Sequence, residues 1–174
     1  MLRVLGGTGA KVDPSFVTGR HRIVELARRL AGLKPSGQFD FATSLAHELL
    51  AIRRAGKVFI VSDFLMLLNS VTRGLGMFTA ASMDLTAVQI LGGRELNGHG
   101  LDGDVEVVDS ESGERLRVSI GERERSQYRD TMERLTREIK SFCVKRGLHY
   151  ALYTTDHDFQ QFFVRAVRDL GLAH

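Results

Sequence analysis

The chain has 174 residues, of which 43% are hydrophobic and 26% charged. This composition is typical of one globular domain that buries its own core. Lysine and arginine number 24 and aspartate and glutamate 21, so the formal net charge is only +3, and the two signs are interspersed. Nucleic acid is therefore disfavoured as the main partner, because binding phosphates requires a concentrated basic face.

Cysteine usage and the lengths of the apolar segments indicate the compartment. The single cysteine, Cys143, cannot form an internal disulfide and falls in an apolar helical stripe. This predicts a small core residue in a reducing compartment. Apolar runs are much shorter than the ~18 residues that a membrane-spanning helix needs. Glycines stand where a signal peptide would have its apolar core. We therefore expect a cytoplasmic protein without a transmembrane segment.

The chain up to residue 61 is predicted to contain two strands and two helices. A short strand at 2–5 runs into a glycine-rich turn at 6–11, which lacks the spacing of a phosphate-binding loop. Apolar residues at helical spacing predict helices from about 19 to 35 and from about 42 to 54. The segment 57–61 is apolar and rich in β-branched and aromatic residues. We expect it to be a strand at the centre of a parallel sheet.

The rest of the chain alternates further helices and strands around one hairpin. The pattern predicts a helix at 64–75 interrupted by Gly74 and Gly76, followed by a strand at 85–91 and a surface loop at 92–104. A hairpin of 105–108 with 116–120 comes next, and a long helix at 122–146 follows it. The chain then continues with a strand at 149–153 and a final helix capped by Asp156. This alternation implies an α/β, Rossmann-like fold, with a mostly parallel sheet, helices on both faces and a β-hairpin insertion.

Polar residues follow two of the predicted strands and mark the candidate site. In an open parallel sheet, ligands bind at the carboxyl ends of the strands. Ser62 and Asp63 end the first buried strand, and their oxygens suit Mg²⁺ or Mn²⁺. The alternative is that Asp63 caps the following helix. For Thr155 and Asp156, which follow the last strand, helix capping is the favoured interpretation.

Several stretches of the sequence together resemble a known family. They are Gly37-Gln38-Phe39-Asp40 before a helix with Ser44-Leu45, the strand end from Val58 to Phe64, and the hairpin segment from Asp109 to Glu114, followed by Tyr128 and Thr154-Thr155-Asp156. The combination resembles the domain of unknown function 58 family, whose members have a von Willebrand factor A-like fold and are often encoded beside MoxR-type AAA+ ATPases. The likeness covers nearly the whole chain.

The resemblance implies a degenerate metal-ion-dependent adhesion site. Such sites combine a D-x-S-x-S loop after the first strand, a threonine in a second loop and an aspartate in a third. Asp63 matches the third position, Phe39 stands at the threonine position with Asp40 beside it, and no D-x-S-x-S occurs. The implied metal residues are Asp63, Ser62 and Asp40. The implied domain covers residues 1–174 and lacks the family's first strand and helix.

A missing central strand would leave buried backbone groups unpaired. We expect the gap to be closed by re-pairing within the sheet, by another chain or by a further segment.

The residues do not assemble the acid, base and nucleophile set of an enzyme. We therefore expect a non-enzymatic protein-interaction module, and the resemblance implies a MoxR-type AAA+ ATPase as its partner in complex assembly or maturation. Two alternatives stay open. One is a metal-dependent hydrolase that uses Asp63, Asp40 and Asp156 as ligands. The other is a metal-free remnant that forms a homo-oligomer, which Phe39 at the threonine position favours over the hydrolase.

Overall fold

A computed structural model describes residues 21–32, 40–52, 55–98, 100, 103–108 and 115–169. The predicted strand at 2–5, the glycine-rich turn, Phe39 and the hairpin turn at 109–114 lie outside these ranges. The elements in chain order are α1 (His21–Ala31), α2 (Phe41–Ala51), β1 (Lys57–Ser62), α3 (Leu68–Ala80), β2 (Asp84–Leu91), α4 (Gly93–Asn97), β3 (Gly103–Val108), β4 (Arg115–Ile120), α5 (Glu122–Lys145), β5 (His149–Thr154) and α6 (Phe159–Asp169).

Three parallel strands form the main sheet in the order β1-β2-β5. Lys57 pairs with Asp84 at the start of β1, and Ala87 on β2 pairs with Tyr150 on β5. The α/β, Rossmann-like prediction is therefore confirmed, as are the three predicted strands. The expectation that β1 lies at the centre is wrong for the described sheet. β2 has a neighbour on each side and is almost wholly buried, whereas β1 pairs with β2 alone among the described strands.

Both crossovers of this sheet run in the same direction. β1 leads through α3 to β2, and β2 leads through α5 to β5. Because parallel crossovers are right-handed, a common direction puts both helices on one face of the sheet. We call this the covered face. Its side chains form one buried cluster that includes Ile60, Val71, Leu75, Phe78, Leu85, Ala87, Ile139 and Cys143.

Helix α2 completes the covered face by packing closely across α3. A Cβ at Gly74 would lie 2.9 Å from Cε1 of Phe41 and 3.0 Å from Cδ1 of Leu45, so the two helices approach each other where α3 has no side chain. The predicted interruption at Gly74 and Gly76 is wrong, since α3 runs through both. The helix also begins later than expected, at Leu68.

The opposite face, which we call the open face, is only partly covered. Phe59 and Val61 of β1 point to it and are 50% and 60% exposed. Tyr153 of β5 lies on the same face and contacts α6, with ring centroids 5.6 Å from Phe159 and 4.8 Å from Phe162. Helix α6 therefore covers the β5 side of this face and leaves the β1 side accessible.

The remaining predicted elements are confirmed with two corrections. The hairpin forms as β3 and β4, and the long helix forms as α5, ending near Gly147 with its φ of 70°. The loop predicted at 92–104 instead contains the short helix α4. The cap of the last helix is Asp158 and not Asp156, because Oδ1 of Asp158 accepts a hydrogen bond from the Gln161 N–H at 2.8 Å.

Candidate functional site

The carboxyl ends of β1, β2 and β5 lie at one edge of the sheet because the strands are parallel. Neighbouring strands in a sheet are about 4.8 Å apart, so the residues that follow these three strands share one surface. We call it the carboxyl-end surface and define it by Asp63, Leu65 and Leu67 after β1, Glu95 after β2 and Asp156 after β5.

The turn after β1 is fixed by hydrogen bonds between neighbouring residues. Oγ of Ser62 accepts a hydrogen bond from the Phe64 N–H at 3.1 Å, and Oδ1 of Asp63 accepts one from the Leu65 N–H at 3.1 Å. The Ser62 hydroxyl lies 3.5 Å from Oδ1 of Asp63. Such local bonds are the usual way in which serine and aspartate stabilise a turn. Asp63 therefore shapes the turn and does not cap α3, whose N-cap residue is Leu67.

Phe64 gives this turn its unusual backbone. Its φ is 54°, in the left-handed region, although phenylalanine is a bulky residue. Such a conformation costs about 1–2 kcal/mol for a side chain with a Cβ. The Phe64 ring is fully buried and meets Phe41 edge-on, with centroids 5.8 Å apart. Burial of a phenylalanine side chain contributes about 1.5–3 kcal/mol, which offsets the backbone cost and holds the turn in place.

A buried polar chain connects this turn to the other two strands. The Tyr150 hydroxyl donates a hydrogen bond to Oε1 of Gln89 at 2.7 Å, and Nε2 of Gln89 donates one to the Asp63 carbonyl oxygen at 2.8 Å. Gln89 is fully buried. Burial raises the pKa of the Tyr150 phenol, so it stays protonated and able to donate at physiological pH. Tyr150 on β5, Gln89 on β2 and the end of β1 are thereby connected.

The loop that leaves this turn exposes two leucines. Leu65 is 40% and Leu67 is 82% exposed. The loop is anchored at its far end too, because the Leu67 carbonyl oxygen accepts hydrogen bonds from the N–H groups of Ser70 and Val71 in the first turn of α3. We call residues 63–67 the apolar loop.

Beside the apolar loop, the ends of β2 and β5 bring two carboxylates together around a pair of glycines. Oε2 of Glu95 accepts a hydrogen bond from the Gly92 N–H at 2.6 Å. The Asp156 carboxylate approaches Gly93 so closely that it leaves no room for a Cβ at that position. Together with Asp63, these groups place one carboxylate in each of the segments that follow the three strands.

Asp40 has a role at the start of α2. Its Oδ1 accepts a hydrogen bond from the Thr43 N–H at 2.6 Å, which makes it the N-cap of that helix. The hydrogen bonds with Thr43 lower the pKa of the Asp40 carboxyl, and the positive charge of Arg73 contributes in the same direction. This capping role was not predicted from the sequence.

The three predicted metal residues lie in two segments of the structure. Ser62 and Asp63 are adjacent, whereas the Asp40 carboxylate is engaged at α2. Divalent cations in proteins take about six oxygen ligands, commonly from several carboxylates. Within the described ranges, no three His, Cys, Asp or Glu side chains form a group that could hold a metal ion. The site at Asp63, Ser62 and Asp40 stays a prediction.

Gln89 and Tyr150 were missed by the sequence analysis. The signal was present, because Gln89 interrupts the apolar run of β2, and a glutamine in a strand buried on both faces needs buried hydrogen-bond partners. Its partners come from residues 26 and 61 positions away along the chain. They could be identified only once the strand order was known.

Comparison with known proteins places the chain in a family. Residues 4–139, which are most of the chain, match the family described as "Protein of unknown function DUF58". The chain belongs to this family. The match includes the turn after β1, both glycines after β2 and the hairpin, and it ends within α5. No curated protein and no solved structure matches the chain. In the described part of this DUF58 chain, no helix combines the length and apolar character needed to cross a bilayer.

Proposed function

We propose that this DUF58 domain is a non-enzymatic protein-interaction module and that its partner is a MoxR-type AAA+ ATPase, with which it works in complex assembly or maturation. The partner docks on the carboxyl-end surface. The choice of an ATPase comes from the resemblance of the sequence to the domain of unknown function 58 family, while the docking surface comes from the geometry of the apolar loop.

The observation that carries this proposal is the exposure of Leu67 on a loop with a fixed backbone. An 82% exposed leucine is unremarkable on a mobile loop, since single apolar residues are common on surfaces. Here the loop is anchored at both ends by the hydrogen bonds of Ser62, Asp63 and Gln89 and by those to the Leu67 carbonyl. A preorganised apolar anchor loses little conformational entropy on binding, which favours affinity.

The charges around the apolar loop indicate the chemistry of the partner segment. The carboxylates of Asp63, Glu95 and Asp156 follow the three strands at the edge of the sheet where the leucines also lie. A segment with an apolar side chain between lysine or arginine residues complements this arrangement in both shape and charge. Such a contact forms faster at low ionic strength, because complementary charges accelerate association and salt screens them.

The proposed module works without a metal ion. The hydrolase alternative requires Asp40, Asp63 and Asp156 to share a cation, and within the described ranges these residues form no such group. A thermal melt with millimolar Mg²⁺ or Mn²⁺ tests the point directly. An ion at a hundred times its dissociation constant would stabilise the folded state by about 2.7 kcal/mol. A shift that disappears in Asp63→Ala would restore the metal site and overturn the metal-free version of the proposal.

The docking proposal is tested by measuring the affinity of the full chain for a purified MoxR-type ATPase by calorimetry. Leu67→Ser should weaken binding about tenfold or more, as expected for an anchor side chain. Leu50→Ser is the matched control, because Leu50 on α2 is 83% exposed and so equally accessible. It should leave the affinity unchanged.

Two results would contradict the proposal. Absence of binding at tens of micromolar protein would remove the ATPase as partner. Equal effects of Leu67→Ser and Leu50→Ser would remove the apolar loop as the docking site while keeping the partner. Circular dichroism of both variants shows whether either substitution has changed the fold.

A further inference from the structure

Tyr150, Gln89 and the Asp63 carbonyl form a buried hydrogen-bonded chain. An apolar pair of side chains would serve the packing of the core equally well. Gln89 is fully buried among apolar neighbours. A buried polar group contributes little net stability even when it is paired, and it becomes costly when a partner is lost. Its contribution is directional, because each hydrogen bond fixes where its two groups lie.

We propose that Gln89 and Tyr150 are positioning residues for partner recognition, which set the shape of the apolar loop from inside the sheet. The inference rests on the proposed function for its biological use, and on geometry for the coupling itself. In the described structure, the side-chain hydrogen bonds of the pair reach one backbone carbonyl, that of Asp63. This carbonyl lies where the chain leaves β1.

The donor and acceptor groups of this chain determine which atom of the Gln89 amide bonds to Asp63 and which bonds to Tyr150. A backbone carbonyl only accepts, so the Asp63 oxygen requires the amide nitrogen of Gln89. The Tyr150 hydroxyl, which donates to Oε1, holds the amide in the orientation that presents this nitrogen to Asp63. Without the hydroxyl, the buried Oε1 of Gln89 loses its donor and only the bond to Asp63 still orients the amide, so the restraint on the Asp63 carbonyl weakens.

The loop has a reason to need such a restraint. Phe64, next to Asp63, lies in the left-handed region at a φ of 54°. A bulky residue adopts this conformation only where its surroundings impose it. The Gln89 bond holds the carbonyl immediately before Phe64, and the Phe41 ring holds the Phe64 side chain. Loss of the first restraint frees the backbone of the turn, while the buried ring keeps the fold intact.

Amide hydrogen exchange of the full chain, followed residue by residue by NMR, tests the proposal without any partner. The amides of Phe64 and Leu65 report on the turn because they donate to Ser62 and Asp63. In Tyr150→Phe their exchange should accelerate about fivefold, the equivalent of one net hydrogen bond. The amides of Ile139 and Cys143 in α5 should keep their rates.

The matched control is Tyr153→Phe on the same strand. The Tyr153 hydroxyl donates to the His157 carbonyl at 3.0 Å, away from the apolar loop, so its removal should leave the Phe64 and Leu65 amides unchanged. Gln89→Met provides a second variant of similar volume that removes both hydrogen bonds, and it should accelerate exchange at the turn at least as much as Tyr150→Phe.

The outcomes separate this inference from the proposed function. Acceleration confined to the turn supports the positioning role. Unchanged exchange at Phe64 and Leu65, or an equal rise in α5, overturns it, because the pair would then be structural in the ordinary sense. Local acceleration with unaltered affinity for the ATPase keeps the coupling and overturns docking on the apolar loop.

Discussion

The two faces of the sheet differ in what covers them, and the difference follows from the direction of the chain. On the covered face, α2, α3 and α5 bury one continuous cluster. On the open face, α6 covers the β5 side and leaves Phe59 and Val61 accessible. Two right-handed crossovers that advance in the same direction always place their helices on the same face. This strand order therefore covers one face with helices and leaves the other face to be covered by elements from elsewhere in the chain or from a partner.

The comparison also separates stability from recognition. Side chains that fix the fold lie on the covered face, where Phe64 and Gly74 allow close packing. The groups that we assign to recognition lie at the rim of that face, where the strands end. Substitutions on the covered face should therefore change the free energy of unfolding strongly, and equivalent substitutions on the open face should change it little.

The largest expected effect is that of truncating Phe64. Phe64→Ala should lower the free energy of unfolding by about 3–5 kcal/mol, because it removes a fully buried ring. Phe59→Ala, on the open face, should cost about 1 kcal/mol or less, since half of that side chain is already in water. Chemical denaturation of the two variants measures both values.

The backbone of Phe64 offers a sharper version of this test. Phe64→Gly should be about 1 kcal/mol more stable than Phe64→Ala, because glycine adopts a φ of 54° without penalty. In a position of ordinary backbone geometry the order would be reversed. Equal costs for Phe64→Ala and Phe59→Ala would show that the two faces do not differ as described.

The next largest effect distinguishes two glycines within one helix. In Gly74→Ala, the new Cβ would lie 2.9–3.0 Å from side-chain atoms of Phe41 and Leu45, both buried. We expect a loss of about 1–3 kcal/mol from overpacking. In Gly76→Ala, the nearest atom, Cζ of Phe142, is 3.6 Å away, which is an ordinary contact. That variant should gain about 1 kcal/mol from helix propensity.

Thermal unfolding of the two alanine variants checks this prediction. The difference in sign is the decisive result, because propensity alone would stabilise both. If Gly74→Ala were as stable as Gly76→Ala, α2 and α3 would not pack as closely as the distances to Phe41 indicate.

The elements of this fold were predictable from local patterns, and their arrangement was not. The long helix α5 and strand β2 carry strong periodicity and composition signals, and their bounds agree with the structure. The place of β1 at the edge of the described sheet could not be predicted, because an apolar run such as 57–61 has the same composition at the middle and at the edge of a sheet. The late start of α3 depends on the left-handed Phe64, which sequence patterns do not reveal.

For the candidate site too, the sequence predicted the location of residues better than their roles. The rule that ligands bind at the carboxyl ends of strands located Asp63 and Asp156 correctly at one edge. What those carboxylates do was less predictable, because turn, cap and ligand roles draw on the same residue types. Oδ1 of Asp63 stabilises a turn, and Asp40 caps a helix. The Gln89–Tyr150 pair depends on strand order, which becomes apparent only in three dimensions.

The smallest expected effect concerns the thiol of Cys143 on the covered face. Burial raises its pKa from the ordinary 9.0 to about 11. Well below pH 9 the thiol is neutral in both the folded and the unfolded chain, so it contributes no pH dependence to the free energy of unfolding. Above pH 9 the unfolded chain releases the proton and the folded chain keeps it. The free energy of unfolding should therefore fall as pH rises, by about 1 kcal/mol at pH 10.

Cys143→Ala isolates this contribution. The variant loses some packing at every pH, but its unfolding free energy should decline less steeply than that of the wild type between pH 9 and 10. Tyr150 contributes in the same direction only at higher pH, because its phenol also has a pKa raised by burial and ionises from 10.0 upward in the unfolded chain. Parallel slopes for wild type and Cys143→Ala below pH 10 would mean that water reaches the thiol, and that the covered face is less closed around α5 than its packing against α3 and β5 implies.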